Sequence, residues 1–291
     1  MPSTTDPAPY PARPAGVPGR ALAALVVLAA ALVLAFVVAP RTLAARGPDE
    51  EFAGQADLVR ALREAFVGYW GAGGRDLTPD LERLVDHWFR YHVAKGVIAA
   101  LLLIVFVVIG ALLRKAFLRA GGRGVAGRIA LASAGAVASV LVLAAAATVM
   151  ANVQGAAAPL SSLLSMLPTG GGAGGELGGT LDRIRQHLAA PAGDPTPAAL
   201  AAMVGDFSRY HAVMAVVAGV VTLVLTVTGV VFWTRFARTP SSEGRPRRVW
   251  AAFGVLSVLS ALAVLVVCVA NVSTAAHPEP ALLAFFEGGS L

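Results

Sequence analysis

The chain has 291 residues, of which 57% are hydrophobic and 14% charged, with a formal net charge of +6 and a mean hydropathy of +0.72. A soluble globular chain carries about 25% charged residues, so the composition excludes an ordinary soluble domain and points to the membrane class. The single cysteine, Cys268, lies inside an apolar run, which excludes a disulfide framework.

Residues 1–20, rich in proline with Ser, Thr and Gly, read as a disordered cytoplasmic tail. Five runs then reach the roughly 20 apolar residues that crossing a bilayer requires: 21–39, 96–113, 129–151, 212–234 and 249–270. None of them contains Asp, Glu, Lys, Arg or His. The first is long for the apolar part of a cleaved leader, so a retained anchor is expected.

After the first run, 52–70 places Phe52, Leu58, Val59, Leu62 and Phe66 at helical spacing with Asp57, Arg60, Arg63 and Glu64 between them. That spacing predicts an amphipathic helix, ended by the glycines of 71–74. Its polar face mixes signs, which favours packing on protein over lying on lipid. Thr78-Pro79 and Thr196-Pro197 each read as a helix start, with Thr as cap and Pro first in the helix. From Pro79 the stripe Leu81, Leu84, Val85, Trp88 and His92 runs unbroken into the apolar run at 96. A continuous stalk of about four turns is predicted, with His92 facing the bundle. Leu200, Met203, Val204, Phe207 and His211 predict the same before 212. The returning runs carry small residues, Ser133, Gly135 and Ser139 in one and Gly254, Ser257 and Ser260 in the other, which suit close helix packing. Each ends in Ala-Asn-Val and is followed by a proline and a Leu-Leu pair. The glycine-rich stretch 169–179 reads as a flexible linker.

These parallels keep one offset. Arg90-Tyr91-His92 recurs at Arg209-Tyr210-His211, Asn152-Val153 at Asn271-Val272, and Pro159 at Pro278, each 119 residues on. Without a gap, 24 of the 84 positions in 84–167 are identical to their partners in 203–286. The chain reads as a tandem duplication of a two-span unit. Pro40, 119 before Pro159, suggests that the first span is a remnant of the same unit.

Charge between the runs sets the expected orientation. Segment 114–128 carries Arg114, Lys115, Arg119, Arg123 and Arg128 with no acid, and 235–248 carries five arginines against Glu243. Arg13 and Arg20 oppose Asp6 in the tail. Segments 40–95, 152–211 and 271–291 are balanced or acidic. Short basic segments stay inside, so the N-terminus is expected in the cytoplasm and the C-terminus outside. Trp233 and Trp250 then mark the cytoplasmic interface.

The sequence therefore predicts an all-α integral membrane protein. It has a five-span bundle with tandem two-span repeats and a small helical extracytoplasmic cap built from 40–95, 152–211 and 271–291. Abundant Ala and Gly, with 21 Arg against 2 Lys, read as GC-rich coding and place it in a bacterial plasma membrane.

The candidate site gathers Arg90, Tyr91, His92 and Asn152 with Arg209, Tyr210, His211 and Asn271 at the outer end. Pooled between the repeats, with His87, Asp206, His277 and Glu279 near, they would suit a ligand. As an interfacial polar cap they would satisfy helix ends and one another. No nucleophile motif, phosphate loop or metal-ligand spacing is present, so neither catalysis nor a cofactor or metal is expected. The expected partners are the bilayer and an extracytoplasmic protein or lipid, with no nucleic acid. A small transporter or channel is the rival, disfavoured because no ionisable residue lies at mid-membrane depth.

The orientation is directly testable. In a Cys268→Ala background, Asp194→Cys is expected to react with an impermeant maleimide on intact cells. Ser241→Cys is expected to react only after permeabilisation. The reverse pattern would invert the topology.

Overall fold

The computed structural model describes residues 19–45, 54–119, 124–169, 172–191 and 194–289. The tail at 1–18, the tip of the 114–128 segment and the centre of the glycine stretch lie outside them. Among the described residues the chain is helical throughout: α1 (Gly19–Ala44), α2 (Gln55–Ala72), α3 (Pro79–Arg119), α4 (Val125–Ala157), α5 (Pro159–Leu164), α6 (Gly175–Leu188), α7 (Ala198–Arg238), α8 (Gly244–Ala276) and α9 (Pro278–Phe286).

Five of these helices, α1, α3, α4, α7 and α8, are long and apolar enough to cross a membrane. The chain is thus built as a multi-pass membrane protein. Both α3 and α7 have 41 residues and both α4 and α8 have 33, and their bounds keep the offset of 119. At 1.5 Å per residue, 41 residues reach about 60 Å, roughly twice the hydrocarbon thickness. Each apolar run therefore continues as one helix into the stalk predicted for it.

Neighbours in chain order are neighbours in space: α1 packs on α3, α3 on α4, α4 on α7 and α7 on α8. Within the α3–α4 hairpin a Cβ at Gly110 would stand 3.9 Å from that of Ala138. Within the α7–α8 hairpin one at Gly229 would stand 3.5 Å from that of Ser257. Each hairpin thus crosses at a small pair in the same register, as expected where packing and not hydrophobicity joins helices. Of the other small residues, Gly254 lies against the Trp233 ring, whereas nothing stands within 4 Å of a Cβ at Gly135. A second contact cluster, Ala29, Val105, Ile109, Leu113 and Ala138, seats α1 on this first hairpin.

At the end of the spans that carries the Arg-Tyr-His motifs, a separate core forms. It joins Leu58, Leu62, Phe66 and Tyr69 of α2, Leu81 and Leu84 of α3, and Leu160, Leu163 and Leu164 of α5. Leu177, Leu181 and Ile184 of α6, Leu200, Met203 and Phe207 of α7, and Leu282, Phe285 and Phe286 of α9 complete it. Tyr69 is fully buried and its hydroxyl donates to the Ala199 carbonyl at 3.3 Å. Burial, helped by the Asp76 charge and opposed by Arg75, raises its pKa above the usual phenol value.

Three boundaries depart from expectation. The returning helices run past Ala-Asn-Val to Ala157 and Ala276, which puts both asparagines inside a helix. The second half of 169–179 is helical, because Leu177, Leu181 and Ile184 bury one face of α6. That burial outweighs the poor helix propensity of its glycines. Pro197 is the cap of α7, giving its carbonyl to the Ala201 N–H, and is not the first helical residue as Pro79 is in α3. The α2 helix ends as predicted, with Gly73 in the left-handed conformation at φ 67°.

Phe66 is fully buried, so Phe66→Ala should cost about 3–5 kcal/mol. It should strongly lower the temperature at which the detergent-purified protein unfolds. Val227→Ala, on an exposed apolar surface of α7, should change it little.

Candidate functional site

The eight predicted site residues do gather at one end of the spans, but as two clasps and not one pool. In the first hairpin, His92 Nδ1 lies 3.1 Å from Asn152 Oδ1. In the second, His211 Nδ1 lies 2.8 Å from Asn271 Oδ1. Each asparagine amide donates to the carbonyl four residues back, Thr148 at 2.7 Å and Val267 at 2.8 Å. A carbonyl only accepts, so the NH2 must face it and Oδ1 must face the imidazole. The histidine Nδ1 therefore carries its proton in both clasps.

Beyond Nδ1 the two clasps differ. The Trp88 indole N–H donates to Ser162 Oγ at 3.0 Å, and Ser162 Oγ lies 3.2 Å from His92 Nε2. An indole nitrogen only donates, so the serine oxygen accepts there and its own proton goes to His92. The chain Trp88, Ser162, His92, Asn152, Thr148 is thus a directed series with each donor used once. The His92 ring also closes against the helix backbone, since a Cβ at Gly155 would stand 2.6 Å from it. Only glycine fits there without displacing the ring.

In the second hairpin the positions matching Trp88, Ser162 and Gly155 are Phe207, Ala281 and Thr274. His211 is 7% exposed, its ring meets Phe207 edge-on at 4.7 Å, and its Nε2 has no hydrogen-bond partner. Loss of the serine and the indole N–H together leaves this nitrogen unpaired.

The two arginines of the motif have a matching role. Arg90 Nε donates to the carbonyl of Ala44, the last residue of α1, at 2.6 Å. Arg209 Nη1 donates to that of Ala157, the last residue of α4, at 3.3 Å. Helix C-terminal carbonyls lack intrahelical partners and carry partial negative charge, which a guanidinium answers. A third arginine, Arg185 of α6, does the same for Phe286 at the end of α9, at 2.9 Å.

Tyr210 contributes its backbone, its carbonyl accepting from Gln154 Nε2 at 3.2 Å. Together with Arg209 and with Asp206, which takes the Ser161 N–H and hydroxyl at 2.8 Å each, it ties α7 to α4 and α5. Tyr91 stacks on Trp88 at 4.8 Å, with Lys95 Nζ 5.1 Å from its ring and 4.6 Å from that of Phe36. It also lines a cleft of about 160 Å3 shared with Arg41, Gln55, Leu58, His87 and Trp88. Of the other residues near the site, His277 Nδ1 lies 3.3 Å from the Ser273 carbonyl and Glu279 lies in the first turn of α9.

Among the described residues no three His, Cys, Asp or Glu side chains converge as a metal site would require. Sequence reasoning missed Ser161, Ser162, Gly155, Gln154 and Arg185. The exchange of Trp88 and Ser162 for Phe207 and Ala281 at one offset was a readable signal. The close approach at Gly155 left none.

No protein-family model, curated protein or solved structure matches this chain.

Two substitutions test the asymmetry of the clasps. Ser162→Ala strands the Trp88 N–H and His92 Nε2 and should cost about 2–6 kcal/mol, at 1–3 for each group left unpaired. Ala281→Ser offers a hydroxyl at the matching place and should stabilise by about 1 kcal/mol. Both are read from thermal unfolding of the purified protein; a neutral Ser162→Ala would show that the series carries no stability.

Proposed function

We propose that the chain is a non-enzymatic plasma-membrane protein of a bacterium that presents a rigid helical cap on the extracytoplasmic side for a partner protein or lipid. In this reading the two hairpins are tandem copies, the N-terminus is cytoplasmic and the C-terminus is outside. The observation that carries it is the separate core closed by α2, α5, α6 and α9 over the stalks of α3 and α7. Building a second core beyond the apolar runs supports a presented surface better than a plain anchor. The clasps, the arginine caps and the Asp206–Ser161 tie support rigidity, because they fix the cap helices to the spans. A fixed surface binds with less ordering cost than a loose one.

The rival reading, a small transporter or channel with a site between the repeats near the outer interface, draws on His211 Nε2. That nitrogen is buried and unpaired beside the joint between the hairpins. A passing or bound hydrogen-bond donor would satisfy it.

A photo-crosslinking residue placed at exposed Glu64 of α2 or exposed Gln186 of α6 separates the two. The cap reading expects one discrete adduct from these positions in living cells. It also expects none from exposed Arg238, and loss of the adduct when Ser162→Ala loosens the clasp. No adduct from either cap position, combined with solute flux into proteoliposomes that His211→Ala abolishes, would replace it with transport.

A further inference from the structure

The end of the spans away from the clasps carries an arrangement that the cap does not use. Trp250, at the start of α8, stacks on Phe232 of α7 with centroids 5.9 Å apart. Over the same indole stand two guanidiniums from different hairpins, Arg114 of α3 at 5.3 Å and Arg235 of α7 at 5.1 Å. The two charges are therefore no more than about 10 Å apart, and Arg114 is partly buried and feels the charge of Arg235. Among the described residues neither guanidinium has a carboxylate partner, and neither donates a hydrogen bond to another group. The indole face attracts each cation but leaves the planar fork of donors at its edge unused. Two cations held on one indole within about 10 Å of each other, with free forks, can share one oxyanion, which would offset their repulsion and accept hydrogen bonds from both.

Depth decides what that oxyanion belongs to. Arg114 directly follows the apolar run 96–113, Arg235 directly follows 212–234, and Trp250 is the second residue of 249–270. All three therefore stand where a bilayer places its phosphates, the level at which tryptophan also settles. Exposed valines and leucines continue below them, among them Val107, Val108, Val231 and Val255, and offer acyl chains an apolar wall. A zwitterionic headgroup brings its own cation close to the arginines, whereas an anionic one does not.

We infer that Arg114 and Arg235, braced on Trp250, form a clamp for the phosphodiester of one anionic phospholipid, bridging the two hairpins at their turn end. The site is defined by its depth and holds whichever leaflet that end occupies.

The test uses the full chain in detergent micelles doped with phosphatidylglycerol or phosphatidylcholine, with retained lipid counted by native mass spectrometry. Wild type is expected to keep one phosphatidylglycerol with about tenfold preference over phosphatidylcholine, whose choline cation lies close to the arginines; tenfold corresponds to about 1.4 kcal/mol. Arg114→Gln/Arg235→Gln should abolish the preference. Arg238→Gln/Arg245→Gln, which removes the same charge from the same end of the spans, should keep it. Excess inorganic phosphate should not displace the lipid. Should the glutamine pair fail to fold, Arg114→Lys/Arg235→Lys keeps the charge without the fork and should lower retention about threefold. The clamp is overturned by equal retention in wild type and clamp variants, by equal loss in both glutamine pairs, or by displacement with phosphate alone.

Discussion

Where a helix leaves the hydrocarbon, its polar groups must be satisfied inside the protein or by interfacial water, because lipid offers them nothing. That constraint organises this molecule. The last carbonyls of α1, α4 and α9 each receive a guanidinium from another helix, Arg90, Arg209 and Arg185 respectively. The part-buried bonds of Arg90 and Arg185 contribute about 1.5–3 kcal/mol each, the exposed one of Arg209 less, and each also fixes where one helix ends against the side of another. The histidine–asparagine clasps work at the same level on side chains. Remove these contacts and the spans still pair through Gly110 with Ala138 and Gly229 with Ser257. What is lost is the link between those pairs and the core built on top of them.

Most of this architecture is legible in the sequence because the bilayer simplifies the code. Five apolar runs without a charge predict five long helices. The stripe from Leu81 to His92, unbroken by Gly or Pro until Gly96 inside the apolar run, predicts one helix from stalk to span. The pairing of residues 60 apart, His92 with Asn152 and His211 with Asn271, is not stated by the common offset of 119 at which both residue types recur. Pattern gives the face of a helix, and only packing gives the partner. The ends of the returning helices were misplaced for a related reason. Asn152 and Asn271 resemble helix-ending residues, yet each bonds its own i−4 carbonyl and lets the helix continue. α6 was hidden because its glycines argue against a helix, while the core that buries its Leu177, Leu181 and Ile184 is supplied by other elements.

The two clasps share one frame and differ around it. The imidazole–carboxamide bond is common to both. The first hairpin adds a hydroxyl, an indole N–H and a glycine-wide gap. The second replaces all three and seats its ring against Phe207. These positions depend on one another: a threonine in place of Gly155 needs His92 to move, and His92 cannot move while Ser162 and Trp88 hold it. The set is therefore a coupled network in which single substitutions should not add.

The unbroken 41-residue helices give the molecule a mechanical property. About 25 Å of α3, from Pro79 to Lys95, stands beyond its apolar run at 1.5 Å per residue, and α7 is built alike. Each is one continuous rod from span to stalk. A change of tilt of about 5° within the membrane swings the tip by about 2 Å over that length. Because α2, α5, α6 and α9 are packed on both rods, unequal tilts would shear their common core. A change of membrane thickness that was accommodated by tilting would thereby be felt as strain at a surface some 25 Å away by the same rise per residue.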